Sequence, residues 1–206
     1  MKKILVVIAS AMIISPINTE SMNDHIHLNS NTIQCMASGR CKDGIKEIND
    51  ITDISSSSPD TDFSMIAVEV NKMLNILKKI KVKVFLADEK YFPTRYRGIY
   101  STSNNRFFLN SKYLHNPRSI LFTMRHEGWH VAQDCKAGIN NKRLEIILDE
   151  KYIPQIYRDY VEEVYTGEPN HIPFEKGAFW ASVTKDATQW ALDACYKGSD
   201  FHFQVN

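Results

Sequence analysis

Arg125-His126-Glu127-Gly128-Trp129-His130 lies inside a stretch that opens with Asn116-Pro117 and closes at Gly138. Asn followed by Pro supplies an N-cap and a proline at the first helical position, and glycine commonly stands just past a helix end. The stretch therefore reads as one helix that runs to Cys135 and ends at Gly138. Residues four apart on a helix share a face, about 6 Å apart at their bases, so His126 and His130 can offer both imidazoles to one tetrahedral ion. Glu127 is angled toward the open position of such an ion. There its carboxylate can take a proton from water and return it to a leaving amine. A chain of this composition contains His-Glu-x-x-His by chance roughly once in 80. Gly128 costs about 1 kcal/mol against Ala inside a helix, which is easier to explain where a substrate or a crossing strand passes close by. The bland alternative is an amphipathic helix whose histidines are only exposed or hydrogen-bonded.

The neighbouring sequence supplies a sheet and further helices. From Thr61 to Ile80 the apolar residues Phe63, Ile66, Val70, Met73, Leu74 and Leu77 recur at three- and four-residue steps, the pattern of an amphipathic helix capped by Asp60 or Asp62. Val82, Val84 and Leu86 alternate with Lys81, Lys83 and Phe85, a strand with one face in the core. Two β-favouring runs, 97–101 and 106–110, are separated by Thr102-Ser103-Asn104-Asn105, hairpin turn chemistry. A second helical region spans Asn141 to Tyr165, interrupted at Pro154 and closed by Gly167. A third runs from near Pro173 to Tyr196, with Gly198 past its end. The expected fold class is α+β: a small, mostly antiparallel sheet, then the helix carrying the histidines, then a helical C-terminal half.

A catalytic zinc needs a third protein ligand, and Glu175-Lys176-Gly177-Ala178 at the start of the third helix offers one. At this point the chain resembles the zincin metallopeptidases, in the branch whose third ligand is a glutamate on a later helix. The order of helix, strands, hairpin, His-Glu-x-x-His helix and glutamate helix is similar over about residues 61–197. The resemblance implies a Zn2+ site of His126, His130 and Glu175, with Glu127 as general base. Glu175 and Ala178 match the E-x-x-A part of the E-x-x-A-D segment found in several such families. Phe179 stands where that segment has Asp, which normally orients a ligand histidine through its other ring nitrogen. Asp134, one turn after His130, and Glu145 are the candidates to replace it. Other acids remain open as ligand, namely Glu145, Glu150, Glu162 and Glu163. His171 is a rival ligand or hydrogen-bond donor, and Tyr152, Tyr157, Tyr160 and Tyr165 include candidate oxyanion donors. Trp129, Trp180, Trp190, Phe174 and Phe179 read as packing. Arg95, Arg97 and Arg106 cluster near the hairpin as solvated charges or as contacts for an acidic substrate.

Lys2-Lys3 followed by an apolar run from Ile4 to Ile14 has the form of a secretory signal, too short to span a bilayer, with cleavage near Ser21. Three segments are expected: residues 1–21 as signal peptide, 22–60 as a polar, irregular leader or linker, and 61–206 as the zincin-like domain. His25-x-His27 in the leader could hold a stray metal. No other stretch approaches membrane-spanning length, so the mature chain is expected to be secreted or periplasmic, without a membrane span. The full chain's 25 Lys and Arg against 24 Asp and Glu leave no uniform basic field for a nucleic-acid partner.

Export makes two disulfides the natural reading of Cys35, Cys41, Cys135 and Cys195. Cys135 lies about 7.5 Å along its helix from His130, whereas Cys195 lies about 30 Å along a straight helix from Glu175. If His130 and Glu175 share a metal, a 135–195 bridge therefore needs the third helix to break, around Thr184-Lys185-Asp186. Otherwise the late cysteines pair with Cys35 and Cys41.

These readings converge on an exported zinc metallopeptidase acting on a peptide or protein substrate. The competitors are a secreted zinc-binding or structural interaction protein without turnover, and a hydrolase of a non-peptide amide.

Overall fold

A computed structural model describes residues 35–93, 95–139 and 143–201; the expected signal peptide and His25-x-His27 lie outside the described residues. The fold is α+β. It is built on a four-stranded sheet of β1 (Ile45–Ile48), β2 (Lys83–Ala87), β3 (Gly98–Ser101) and β4 (Arg106–Asn110), in the order β1-β2-β4-β3. The expectation of a mostly antiparallel sheet is corrected. β1 pairs antiparallel with β2 and β3 with β4, but β2 and β4 run parallel, so the sheet is mixed. The cause lies in the second hairpin strand. Phe107, Phe108 and Leu109 are all buried, so β4 has two apolar faces, as an interior strand does, and it lies between β2 and β3. β3, with Gly98, Tyr100 and Ser101, takes the edge.

The stretch expected to be an irregular leader also supplies fold. Residues 45–55 form β1 and the helix α1 (Ile51–Ser55), with Ile48, Ile51 and Ile54 buried. The polar residues that suggested a linker are capping chemistry instead. Asp50 accepts from the Thr52 N–H at 2.7 Å, and Asn71 accepts from the Ile51 N–H at 2.8 Å, tying α1 to the next helix.

Alternation on the strands divides the core. Val84 and Leu86 of β2 sit beside Phe107 and Leu109 of β4 on one face, under α2 (Ser64–Lys79) and α3 (Pro117–Ala137). Phe85 and Phe108 stack on the other at 5.2 Å, beneath Met36, Cys41, Tyr91 and Phe92. A Cys35–Cys41 disulfide closes the loop on that outer face. Asp62 accepts from the Ser64 N–H at 2.8 Å at the start of α2.

The second helical region is shorter than its sequence suggested. Residues 143–149 are not helical, and only α4 (Gln155–Val164) follows, after a short 3-10 turn. The segment lies along α3: the Glu145 N–H donates to the Gln133 carbonyl at 3.1 Å and Lys136 Nζ donates to the Ile146 carbonyl at 2.6 Å. Ile147 and Leu148 are both buried there.

The third region breaks where a 135–195 bridge requires. α5 (Ile172–Val183) ends, Asp186 takes a left-handed conformation (φ 63°), and α6 (Ala187–Lys197) turns back along α3. Cys135 and Cys195 are then bonded, with Cα atoms 5.9 Å apart. Gly128 has its explanation here. A Cβ on it would stand 2.8 Å from Thr188 Cγ2, and Thr188 Oγ1 donates to the Arg125 carbonyl at 2.7 Å, so the close neighbour is α6 rather than a substrate or a strand. Among the described residues no helix is long and apolar enough to cross a membrane.

The Cys135–Cys195 bridge closes 60 residues of chain, for which loop-closure entropy gives about 4 kcal/mol. Replacing both cysteines by serine should lower stability by about 2–4 kcal/mol, read as an earlier urea midpoint. An unchanged midpoint would show that the bridge adds no constraint.

Candidate metal centre

The Asn116 side chain accepts from the Ser119 N–H and Pro117 occupies the first turn, which fixes the register of α3. One turn apart on that helix, the His126 and His130 rings lie with centroids 4.9 Å apart at 83°. Glu175 enters from the first turn of α5. His126 Nε2 lies 3.1 Å from Glu175 Oε2, and His130 Nε2 lies 3.3 Å from Glu175 Oε1, with side chains 10–17% exposed. One ligand atom from each of the three lies within 4.8 Å of the others.

These residues fit a small divalent cation on two counts. A tetrahedral ion with arms of about 2.0–2.1 Å separates its ligands by roughly 3.3 Å, close to the 3.1 and 3.3 Å of the two imidazole–carboxylate contacts. Glu175 Oε2 is moreover buried, and His126 Nε2, 3.1 Å away, does not meet it in hydrogen-bonding geometry, which leaves an oxygen that a cation would satisfy.

Charge is distributed unevenly among the buried groups. Burial alone would raise the Glu175 pKa, but His130 and His126 outweigh it and hold the carboxyl well below its ordinary range. Burial likewise opposes charge on His130, yet the Glu175 carboxylate beside it pushes its pKa up to about 9. Glu127 goes the other way: burial raises its pKa against the opposing pull of the two histidines. Burial and the charge of Glu175 also raise Tyr165, and Tyr96 is raised by burial and by Glu168, Glu175 and Glu127.

Edge strand β3 runs against α3 at this point. A Cβ on Gly98 would stand 2.5 Å from Thr123 Cγ2 and 3.0 Å from Glu127 Cγ. Only a glycine lets the strand come so near the buried carboxylate.

The other residues singled out from the sequence go elsewhere. Glu150 and Glu162 hold Lys176 Nζ at 2.7 and 2.6 Å. His171 is exposed and lies 3.2 Å from Glu168. Asp134 accepts from the Tyr100 hydroxyl at 2.7 Å and orients neither imidazole, since His130 Nδ1 meets Gln133 and His126 Nδ1 has no partner, and Glu145 meets Gln133 through its backbone. Phe179 packs between Phe122, Tyr157 and Tyr160, an apolar surrounding that would penalise a carboxylate. Arg106 lies over Phe85 and Arg97 over Tyr113.

The residue that sequence reasoning missed is Gln133. Its side chain meets His130 Nδ1 at 2.8 Å and the Phe174 carbonyl at 3.1 Å. Its position three residues after His130 on the same helix was the available signal.

No protein-family model, no curated protein and no solved structure matches the chain.

The pKa shifts give the metal-free protein a defined pH dependence. A raised His130 contributes stability in full below about 6.5, its ordinary value, and loses it as pH rises through about 9. A depressed Glu175 contributes above its ordinary 4.5 and loses that as pH falls. Stability should therefore decline from neutral pH toward 9, and Glu175→Gln should flatten that decline in urea titrations. An equal decline in both proteins would remove the pair as its source.

Proposed function

We propose that the chain is an exported zinc-dependent metallopeptidase, similar to the zincins, in which His126, His130 and Glu175 hold Zn2+ and Glu127 is the general base. The observation that carries this reading is the meeting of two imidazoles from one helical stripe with a carboxylate supplied 45 positions later. A bound Zn2+ supplies Lewis acidity that polarises a peptide carbonyl and eases ionisation of the attacking water.

The chain's own groups do the rest. Glu127 accepts the proton of the attacking water and delivers it to the leaving amine, and burial that raises its pKa favours holding the proton between those two steps. Edge strand β3, close against Glu127, suits an extended peptide that docks by adding to the sheet. The two disulfides support an oxidising compartment, in agreement with the signal-like residues 1–21.

Glu127→Gln provides the test. The variant should keep wild-type zinc content by metal analysis while hydrolysis of a peptide library falls by about 10²–10⁴-fold. Full hydrolysis by the variant would overturn the role of Glu127. Wild-type protein that binds zinc and cleaves nothing would favour a non-catalytic zinc protein, and cleavage confined to non-peptide amides would reassign the substrate.

A further inference from the structure

We infer that Gln133 is a positioning residue that fixes the tautomer of His130 and locks that ligand to the backbone carrying Glu175; the inference rests on the metallopeptidase reading. Gln133 is 1% exposed, so each polar atom of its amide must find a partner inside the protein. The Phe174 carbonyl can only accept, so the atom 3.1 Å from it is the amide Nε2, which donates. That choice turns Oε1 toward His130 Nδ1, 2.8 Å away. An amide oxygen only accepts, and Nδ1 therefore carries the proton. In the neutral ring that a cation requires, His130 Nε2 is then the nitrogen with the free lone pair, 3.3 Å from Glu175 Oε1, on the side where a cation would sit.

One amide thus settles two things at once. It sets which nitrogen of His130 is available to a metal. It also ties that ring to Phe174, the residue immediately before Glu175, so one side chain bridges the two helices that carry His130 and Glu175. Gly177 permits the approach: a Cβ there would stand 2.9 Å from Trp129 Nε1 and 3.7 Å from Gln133 Nε2. An amide also serves without adding negative charge to a buried site that already holds Glu127 and Glu175. His126 has no such anchor. Its Nδ1 is buried and unpartnered, and its ring is held by stacking on Phe122, with centroids 6.4 Å apart at 13°. His130 is the anchored ligand of the pair, and His126 the one held by packing.

The test combines zinc titration against a chromophoric chelator with nitrogen NMR of the histidine rings. Zinc-loaded wild-type protein should show His130 protonated at Nδ1 and bound through Nε2. Gln133→Met, which removes both hydrogen bonds at similar size, should weaken zinc binding by about 10–100-fold, while Gln133→Glu, which keeps the acceptor for His130 but cannot donate to the Phe174 carbonyl, should recover part of it. Binding through Nδ1, wild-type affinity in Gln133→Met, or equal weakness in both variants would overturn the inference and leave the metal reading standing. Failure of wild-type protein to take up zinc would overturn that reading, and this inference with it.

Discussion

The packing of α5 onto α3 is the constraint on which the rest of the structure depends. Two of the three residues that could hold a cation are on α3 and the third is on α5, so the spacing between these helices is the spacing of the site. It is kept short by Gly177, whose missing side chain admits the Trp129 indole, and by Trp180, which meets that indole edge-on at 5.7 Å. From the far side, α6 seats Thr188 against Gly128 and is bonded to α3 through Cys195 and Cys135. A cavity or an added methyl group at any of these contacts would be felt at the carboxylate of Glu175, because a close-packed core transmits displacement rather than absorbing it.

Charged neighbours fix the same backbones from outside. Arg125, next to His126, forms a bidentate pair with Glu69 of α2 at 2.6 and 2.8 Å and donates to the Ser182 carbonyl at the end of α5. Lys176, next to Glu175, is held by Glu150 and Glu162. Each cation sits beside a ligand in sequence but is turned toward carboxylates of another element. Both segments that carry the three residues are thereby clamped, and Arg125 and Lys176 direct their charge at partners outside the His126, His130 and Glu175 cluster.

What could be read from the sequence was local. Helical spacing alone placed His126, Glu127 and His130 together, and the cap at Asn116 and the stop at Gly138 are side-chain and backbone chemistry of the helix ends themselves. Arithmetic on helix length linked a bridge between Cys135 and Cys195 to a break near Asp186, and both are found. The parts that escaped depend on partners distant in sequence. β1 has only four residues and needs β2 to be a strand at all, and nothing in the spacing of β2, β3 and β4 distinguishes a mixed sheet from an antiparallel one. Gln133 escaped for a related reason: a glutamine three residues after a histidine is commonplace, and it gains meaning only when the Phe174 carbonyl, 41 positions away, fixes which way its amide points.

Two glutamates share this buried neighbourhood, and their surroundings push them in opposite directions. Glu175 stands between two imidazoles that favour its ionised form strongly enough to overcome burial, which suits the part proposed for it, staying charged to hold a cation. Glu127 is buried too, but burial outweighs the pull of the histidines, so its protonated form is less costly and a proton can rest there between being taken and being given up. Exchanging these environments would leave the ligand reluctant to ionise and the base reluctant to accept a proton. The positions on the two helices that give Glu175 two histidine neighbours and place Glu127 under edge strand β3 are thus what divide ligand from base in the proposed chemistry, since the two side chains are otherwise identical.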